Sequence, residues 1–192
     1  MTRTSIDPAG LPPAHFKETT MQIETSRFGT MDIDEAGIIT FPDGLPGFEG
    51  EQRFVFIPHR MADPDKPSPF MWFQSLEDGR LAFLITNPLT FFPDYEPVIS
   101  STDRHALGAA GGGELSTYSL LTVPSGNPSA ISANLLAPLV INMETQQARQ
   151  VIVNDDRYGL RHRLIPEASP TNREPEIMTR PTAAPKEFVA HR

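Results

Sequence analysis

Short stretches in which apolar and polar residues alternate recur through the middle of the chain. Alternation with period two, as in 21–25, is typical of a half-buried β-strand. Similar stretches rich in Ile, Val, Phe and Thr follow at 31–33, 38–41, 53–57, 70–75, 81–86, 89–92, 117–123, 131–136, 139–143 and 147–153. Turn signals such as Pro42-Asp43-Gly44 separate them. The pattern predicts a mostly β fold, a small antiparallel β-barrel-like or sandwich domain.

One short helix interrupts this pattern. It is predicted at 102–107, with Ser101 or Thr102 as its N-cap and Gly108 at its end. Both ends of the chain, in contrast, combine frequent prolines with the absence of an apolar period. We therefore predict a disordered N-terminal extension (1–20), a β-domain (21–165) and a Pro-rich disordered C-terminal tail (166–192).

Composition excludes several classes of protein. The 192 residues include no cysteine, which excludes a disulfide framework, a thiol nucleophile and a cysteine-ligated metal. No apolar run approaches the roughly 18 residues that a membrane-spanning helix needs. The N-terminus also lacks the apolar region of a secretory signal. These features predict a cytoplasmic protein with no membrane association.

The negative charge is concentrated in the predicted domain. The formal net charge is -8, and residues 21–144 carry 6 basic against 16 acidic side chains, whereas four arginines oppose two aspartates in 145–166. An acidic body repels a phosphate backbone, so we expect no direct binding to nucleic acid. The same charge suits a basic or nucleic-acid-binding protein partner, although solubility alone would also explain it.

The sequence contains little that supports a catalytic or metal-binding site. The five histidines show no metal-ligand spacing, and the serines lack a Gly-x-Ser-x-Gly elbow. We therefore predict no metal, no cofactor and no enzymatic activity. Carboxylates brought together by two strands would still allow acid–base chemistry. The alternative is thus a small-barrel enzyme or ligand-binding module that uses acidic residues at the barrel mouth.

The segment 41–49 is the most informative in the chain. Its two prolines fix φ, and its two glycines permit positive φ, so the pattern predicts a rigid, non-repetitive loop that holds Leu45 and Phe48 in set positions. Such a loop either caps one end of the barrel or forms a preordered rim for binding a peptide. From the residues alone the two interpretations are equally supported.

A second segment, 86–96, combines aromatic and acidic residues. Pro88 and Pro93 indicate an edge strand, because proline cannot donate to a central ladder. An edge strand with aromatic neighbours can accept another protein. Filling of the core is at least as good an explanation for Phe91, but a poorer one for Tyr95, which lies between Asp94 and Glu96.

Several ordered motifs resemble the FliW family of flagellar assembly factors. The matching stretches are 28–29, 39–49 (Ile-Thr-Phe-Pro-Asp-Gly-Leu-Pro-Gly-Phe-Glu), 70–75, 81–83, 92–96, 134–142, 149–151 and 160–162. The resemblance covers about 21–165. It implies a small β-barrel-like protein without enzymatic activity that binds the RNA-binding regulator CsrA, relieves its repression of translation, and binds flagellin before export.

These considerations define the predicted site. We expect the partner-binding residues to be Leu45, Phe48, Glu49, Asp94, Tyr95 and Glu96. The apolar members would anchor a partner, and the acidic members would meet basic surface or repel RNA. Five residues are instead predicted to lie in the core: Trp72, Phe73, Phe83, Leu135 and Ile141. We expect the chain by itself to be a monomer, and a copy that binds only one of the two partners is a further possibility.

Overall fold

The computed structural model describes residues 19–61 and 65–165, so the predictions for both tails fall almost entirely outside the described residues. The described part contains one short helix, α1 (Ser101–Ala106). Its strands are β1 (Thr20–Thr25), β2 (Gly29–Asp34), β3 (Ile39–Thr40), β4 (Arg53–Pro58), β5 (Phe70–Ser75), β6 (Ala82–Thr86), β7 (Ser116–Thr122), β8 (Ser132–Ala133), β9 (Leu139–Asn142), β10 (Gln147–Gln150) and β11 (His162–Arg163).

Seven of these strands close into a barrel. The ring runs β7-β6-β5-β4-β3-β10-β9 and returns from β9 to β7. The predicted mostly β, barrel-like fold is therefore confirmed. Pairing is antiparallel except between β3 and β10, which run parallel at Thr40 and Gln147. An odd number of strands cannot alternate in direction around a closed ring, so at least one parallel pair is unavoidable.

Alternation along the strands fills the barrel interior. On β4, for example, Phe54 points inward while Val55 contributes to a cluster on the outside. The rings of Phe54 and Phe73 stack with centroids 4.7 Å apart. The buried residues of the interior are Ile39, Phe41, Leu45, Phe54, Phe73, Ile85, Leu139, Ile141 and Ala148. Phe73 and Ile141 are thus in the core, as predicted, and Phe83 is half-buried against it.

The outer face of the barrel is covered at three places. The β1–β2 hairpin packs over Val55 and Ile57, beside the half-buried Trp72. Leu107, just after α1, packs with Val140 and Val151. A third outer cluster consists of Tyr95, Ile131, Ala133, Leu135 and Leu164. Leu135 is therefore buried, as predicted, but outside the barrel.

The predicted strand at 89–92 is wrong. Pro88–Thr90 forms a 3-10 turn, in which the Asn87 side chain accepts a hydrogen bond from the Leu89 N–H at 3.0 Å. Proline suits the first position of a helical turn, because its missing N–H would have no partner there. The prolines in this segment therefore begin a turn and do not mark an edge strand.

Helix α1 begins one residue earlier than predicted. Its N-cap is Ser100, whose hydroxyl accepts a hydrogen bond from the Asp103 N–H at 3.0 Å. Gly108 follows the helix with a φ of +71°, as expected for a glycine at a helix C-terminus. In the part of the chain that the structure describes, no helix has the length and apolarity needed to cross a membrane.

Candidate functional site

The loop after β3, residues 41–49, folds over one end of the barrel, and we call it the rim loop. It is anchored where the Phe41 N–H donates to the carbonyl of Gln52 at 2.7 Å. Gly44 and Gly47 have φ of +69° and +84°, so both glycines supply the positive φ that the sequence predicted. Phe48 closes the loop by donating its N–H to the carbonyl of Leu45 at 2.7 Å.

The two apolar residues of the rim loop have different environments. Leu45 is only 2% exposed and belongs to the barrel interior. Phe48 is 41% exposed, and its ring packs edge-on against Phe83 of β6 with centroids 5.3 Å apart. Leu45 therefore holds the loop in place from inside, whereas Phe48 presents a large apolar surface supported by a second aromatic ring.

Two charged contacts fix the exposed side of the rim loop. The Glu49 carboxylate accepts a hydrogen bond from the Gly47 N–H at 2.9 Å, and this bond lowers the pKa of Glu49. The Arg149 guanidinium of β10 contacts Asp43 at 3.0 Å and Asp103 of α1 at 3.5 Å. Glu49 is thus a negatively charged group in a defined position, and Arg149 joins the loop to the barrel wall and the helix.

Tyr95 in the second predicted segment lies deeper than the sequence suggested. It is 4% exposed, and its hydroxyl donates to the carbonyl of Leu135 at 2.8 Å. Burial raises the pKa of Tyr95. Phe91, for which core filling was at least as good an explanation as a surface role, is half-buried. The lesser burial expected for Tyr95 was wrong, because its side chain packs against Leu135 and Tyr158 in the outer cluster.

Tyr95 forms the floor of a surface depression of about 380 Å³, which we call the aromatic groove. The Tyr95 and Tyr158 rings meet edge-on with centroids 4.7 Å apart, and Phe92 meets the His162 ring at 5.9 Å. The residues lining the groove are Phe91, Phe92, Pro93, Asp94, Tyr95, Leu135, Arg157, Tyr158 and His162.

The aromatic groove carries charges of both signs. Asp94 and Glu96 are exposed, and the Glu96 N–H donates to the Tyr158 hydroxyl at 3.0 Å. Arg157 lies over the Tyr158 ring at 5.2 Å and pairs with Asp155 at 2.7 Å. This pairing lowers the pKa of Asp155. The groove therefore combines an apolar, aromatic floor with the Asp94 carboxylate and the Arg157–Asp155 ion pair.

The structure does not bring the two predicted segments into one site. Leu45 belongs to the barrel interior and Tyr95 to an outer cluster. Adjacent residues of β6 show the same division, since Phe83 packs with the interior and Leu84 with the outer cluster. Phe48 and Glu49 thus form one candidate contact surface, and Asp94 and Glu96 form a second one.

Sequence reasoning missed the contributions of 157–162 to the aromatic groove. Tyr158 reaches the backbone of Glu96 across 62 positions of sequence, and β11 places His162 against Ala133 of β8. The short match at 160–162 was the motif that pointed to this segment. The fold and the candidate sites together define the class of protein. It is a small closed β-barrel whose distinctive exposed side chains lie on loops outside the barrel.

Comparison with known proteins identifies the family. The model of the family described as FliW protein matches residues 22–164, and the chain belongs to this family. The protein from Alkaliphilus metalliredigens named flagellar assembly factor FliW is 40% identical over 147 residues, which cover 77% of this chain and 88% of that relative. The protein of the same name from Desulfitobacterium hafniense strain Y51 is 38% identical over 148 residues, covering 77% and 93%.

A solved structure supports the same assignment. The crystal structure of the flagellar assembly factor FliW superimposes with a TM-score of 0.68 at 32% sequence identity, covering 78% of this chain and all of that one. The resemblance noted in the sequence motifs is therefore confirmed at the level of family and fold.

Proposed function

We propose that this protein is a flagellar assembly factor that acts by stoichiometric binding. It binds the translational regulator CsrA, relieves the repression of flagellin translation, and binds flagellin before export. Membership of the FliW family is the observation on which the proposal chiefly rests. Competition between the two partners would couple the synthesis of flagellin to its secretion, and the proposed compartment is the cytoplasm.

The charge of the domain supports binding to an RNA-binding protein. Such a protein presents basic surface to RNA, which an acidic surface attracts by complementarity. Residues 21–144 carry 16 acidic against 6 basic side chains, and Asp94 and Glu96 are both exposed. At physiological ionic strength a bound acidic domain repels phosphates over roughly 8 Å, so docking has to occur beside the RNA path.

The exposed residues of the two surfaces are the proposed contacts. Phe48 supplies an apolar anchor whose position is already fixed by Phe83, which reduces the entropy lost on binding. Glu49, Asp94 and Glu96 supply the negative charge. Leu45 and Tyr95 are buried, so we assign them to holding these contact residues in place and not to touching a partner.

The alternative of an enzyme or ligand-binding module gains less support. An acid–base site requires carboxyl groups with raised pKa in a closed cavity. The pKa values of Glu49, Asp78 and Asp155 are instead lowered. Each of the three carboxylates accepts hydrogen bonds that favour its charged form.

Charge reversal on the second surface tests the proposal. We expect the full chain to retain purified CsrA and purified flagellin in separate pull-downs at micromolar concentration. The double variant Asp94→Lys/Glu96→Lys should weaken CsrA binding about tenfold or more in low salt, because close charge pairs at protein interfaces couple strongly. A labelled RNA should correspondingly stay bound to CsrA when this variant is added.

A matched control keeps the total charge change equal. Asp32→Lys/Glu144→Lys reverses two exposed carboxylates, one on β2 and one in the β9–β10 turn. This variant should bind CsrA within about twofold of the unmodified chain at matched ionic strength. If both double variants weaken CsrA binding equally, the effect comes from net charge and not from the second surface. Failure of CsrA and flagellin to bind the unmodified chain would overturn the proposal.

A further inference from the structure

The six basic side chains of residues 21–144 differ in the contacts they make. Arg53 pairs with Glu77 at 2.7 Å, and Arg80 pairs with Asp78 at 2.9 Å. Arg104 instead donates to the carbonyl of Gly113 at 2.8 Å. Two more, Arg27 and Arg60, lie close together on one side of the barrel.

Arg27 and Arg60 line a single cavity of about 460 Å³ between the β1–β2 hairpin and the end of β4. Its apolar floor includes Met31, Ile57 and Trp72. Its lining within the described chain contains no aspartate or glutamate, whereas Asp94 lines the aromatic groove. We call this cavity the cationic pocket.

The cationic pocket extends into a neighbouring depression. Both cavities are lined by Pro58, His59 and Arg60, and Lys66 lines the second one. In the part of the chain that the structure describes, the second lining also contains no carboxylate. Arg60 is therefore shared by two adjoining depressions, and the cationic pocket has an apolar floor.

Arg27 is held in a geometry that suits carboxylate recognition. Its guanidinium carbon lies 4.1 Å from the centroid of the Trp72 ring, which is a cation–π contact. Stacking occupies the face of the guanidinium and leaves its N–H groups, which lie in the guanidinium plane, able to donate. Two parallel N–H groups of an arginine match the two oxygens of a carboxylate.

The backbone around Arg27 is fixed as well. The Ser26 N–H donates to the carbonyl of Gly79 at 3.0 Å, and the Phe28 N–H donates to the Thr25 hydroxyl at 2.9 Å. The Phe28 ring also meets Trp72 edge-on at 6.1 Å. A ligand that binds here therefore needs to order little of the pocket around Arg27, which lowers the entropic cost of association.

We propose that the cationic pocket binds an acidic segment of a partner protein, in which carboxylates flank one apolar side chain. The apolar side chain would cover Met31, Ile57 and Trp72, and the carboxylates would pair with Arg27 and Arg60. A nucleic acid fits less well, because its longer run of phosphates would meet the surrounding acidic surface. The cationic pocket contains none of the contact residues proposed for CsrA. If no acidic segment binds in the pocket, the proposed binding of CsrA is therefore unaffected.

Trp72 provides the assay, since it is the only tryptophan of the chain. The probe is a synthetic peptide of four glutamates around a central leucine, titrated into the full chain while Trp72 fluorescence is recorded. Calorimetry provides a second readout, because altering Arg27 changes the fluorescence directly. We expect saturable binding with a dissociation constant between about 10 μM and 1 mM in low salt.

Variants locate the binding. Arg27→Gln/Arg60→Gln should weaken peptide binding by about tenfold, and Arg161→Gln, which replaces an exposed arginine outside the pocket, should leave it within about twofold. The peptide with lysine in place of glutamate should not bind. Absence of saturable glutamate-peptide binding up to about 1 mM, or equal weakening by the control variant, would overturn the proposal. Tighter binding of a single-stranded oligouridine would overturn it too, by assigning the pocket to nucleic acid.

Discussion

Replacing Gly44 with alanine tests how rigidly the rim loop is held. The added Cβ would lie 2.6 Å from the Glu49 carbonyl oxygen and 2.7 Å from the Glu49 Cα. Ordinary contacts of a Cβ begin at 3.4 Å, so the backbone at these two positions has to separate by several tenths of an ångström. Gly44 also has a φ of +69°, which a side chain disfavours.

Gly47 separates these two effects. It has a φ of +84°, but a Cβ built on it meets no atom within 4 Å. Gly47→Ala should therefore cost about 1 kcal/mol, mainly from backbone strain. Gly44→Ala adds overpacking of typically 1–3 kcal/mol, so we expect a total loss of about 3 kcal/mol. The predicted difference between the two variants is about 2 kcal/mol.

Urea unfolding followed by Trp72 fluorescence measures these free energies, with amide exchange at Phe48 reporting the loop itself. The Phe48 N–H donates to the Leu45 carbonyl inside the rim loop, so opening of the loop should accelerate its exchange. Gly44→Ala should be less stable than Gly47→Ala and exchange faster at Phe48. Equal stability of both variants, within about 0.5 kcal/mol, together with unchanged exchange would refute a rigid rim loop.

Two further substitutions test the outer face of the barrel. Gly79→Ala would place a Cβ 2.0 Å from the Glu24 carbonyl oxygen, so we expect a loss of about 2–3 kcal/mol in urea unfolding, while Gly50→Ala, which meets no atom within 4 Å, should be nearly neutral. Tyr95→Phe should cost about 1–2 kcal/mol, because it leaves the Leu135 carbonyl without its donor. The raised pKa of Tyr95 stabilises the fold below the ordinary tyrosine pKa of about 10, and this contribution declines above it. A decline in stability above pH 10 that is as steep in Tyr95→Phe as in the unmodified chain would contradict that assignment.

Local signals in the sequence predicted much of the fold. Short apolar runs rich in Ile, Val, Phe and Thr, bounded by turn signals, located most barrel strands within one or two residues, because these strands bury residues on the inner face and also under the outer clusters. The glycines and prolines of the rim loop likewise predicted its conformation. The 3-10 turn at 88–90 was missed because Asn-Pro begins a helical turn as readily as it interrupts a strand.

The sites were predicted less well than the fold, because they depend on contacts between segments that are far apart in the sequence. Tyr95 was expected to be more exposed than it is because it stands between two acidic residues, yet its burial depends on Leu135 and Tyr158, far along the chain. The cationic pocket likewise joins Arg27 on a hairpin turn to Arg60 after β4. Alternation shows which face of a strand is buried, but not which distant segment covers it.

The release of RNA from CsrA measures the central claim most directly. A fixed amount of CsrA saturated with labelled RNA is titrated with the full chain at physiological salt, and the bound RNA is followed by fluorescence anisotropy. If the protein acts by occupying a partner's surface, release should rise linearly with added chain and stop when every CsrA site is occupied. Complete release of RNA by much less than one molecule of chain per CsrA site, or no release at all, would contradict the account.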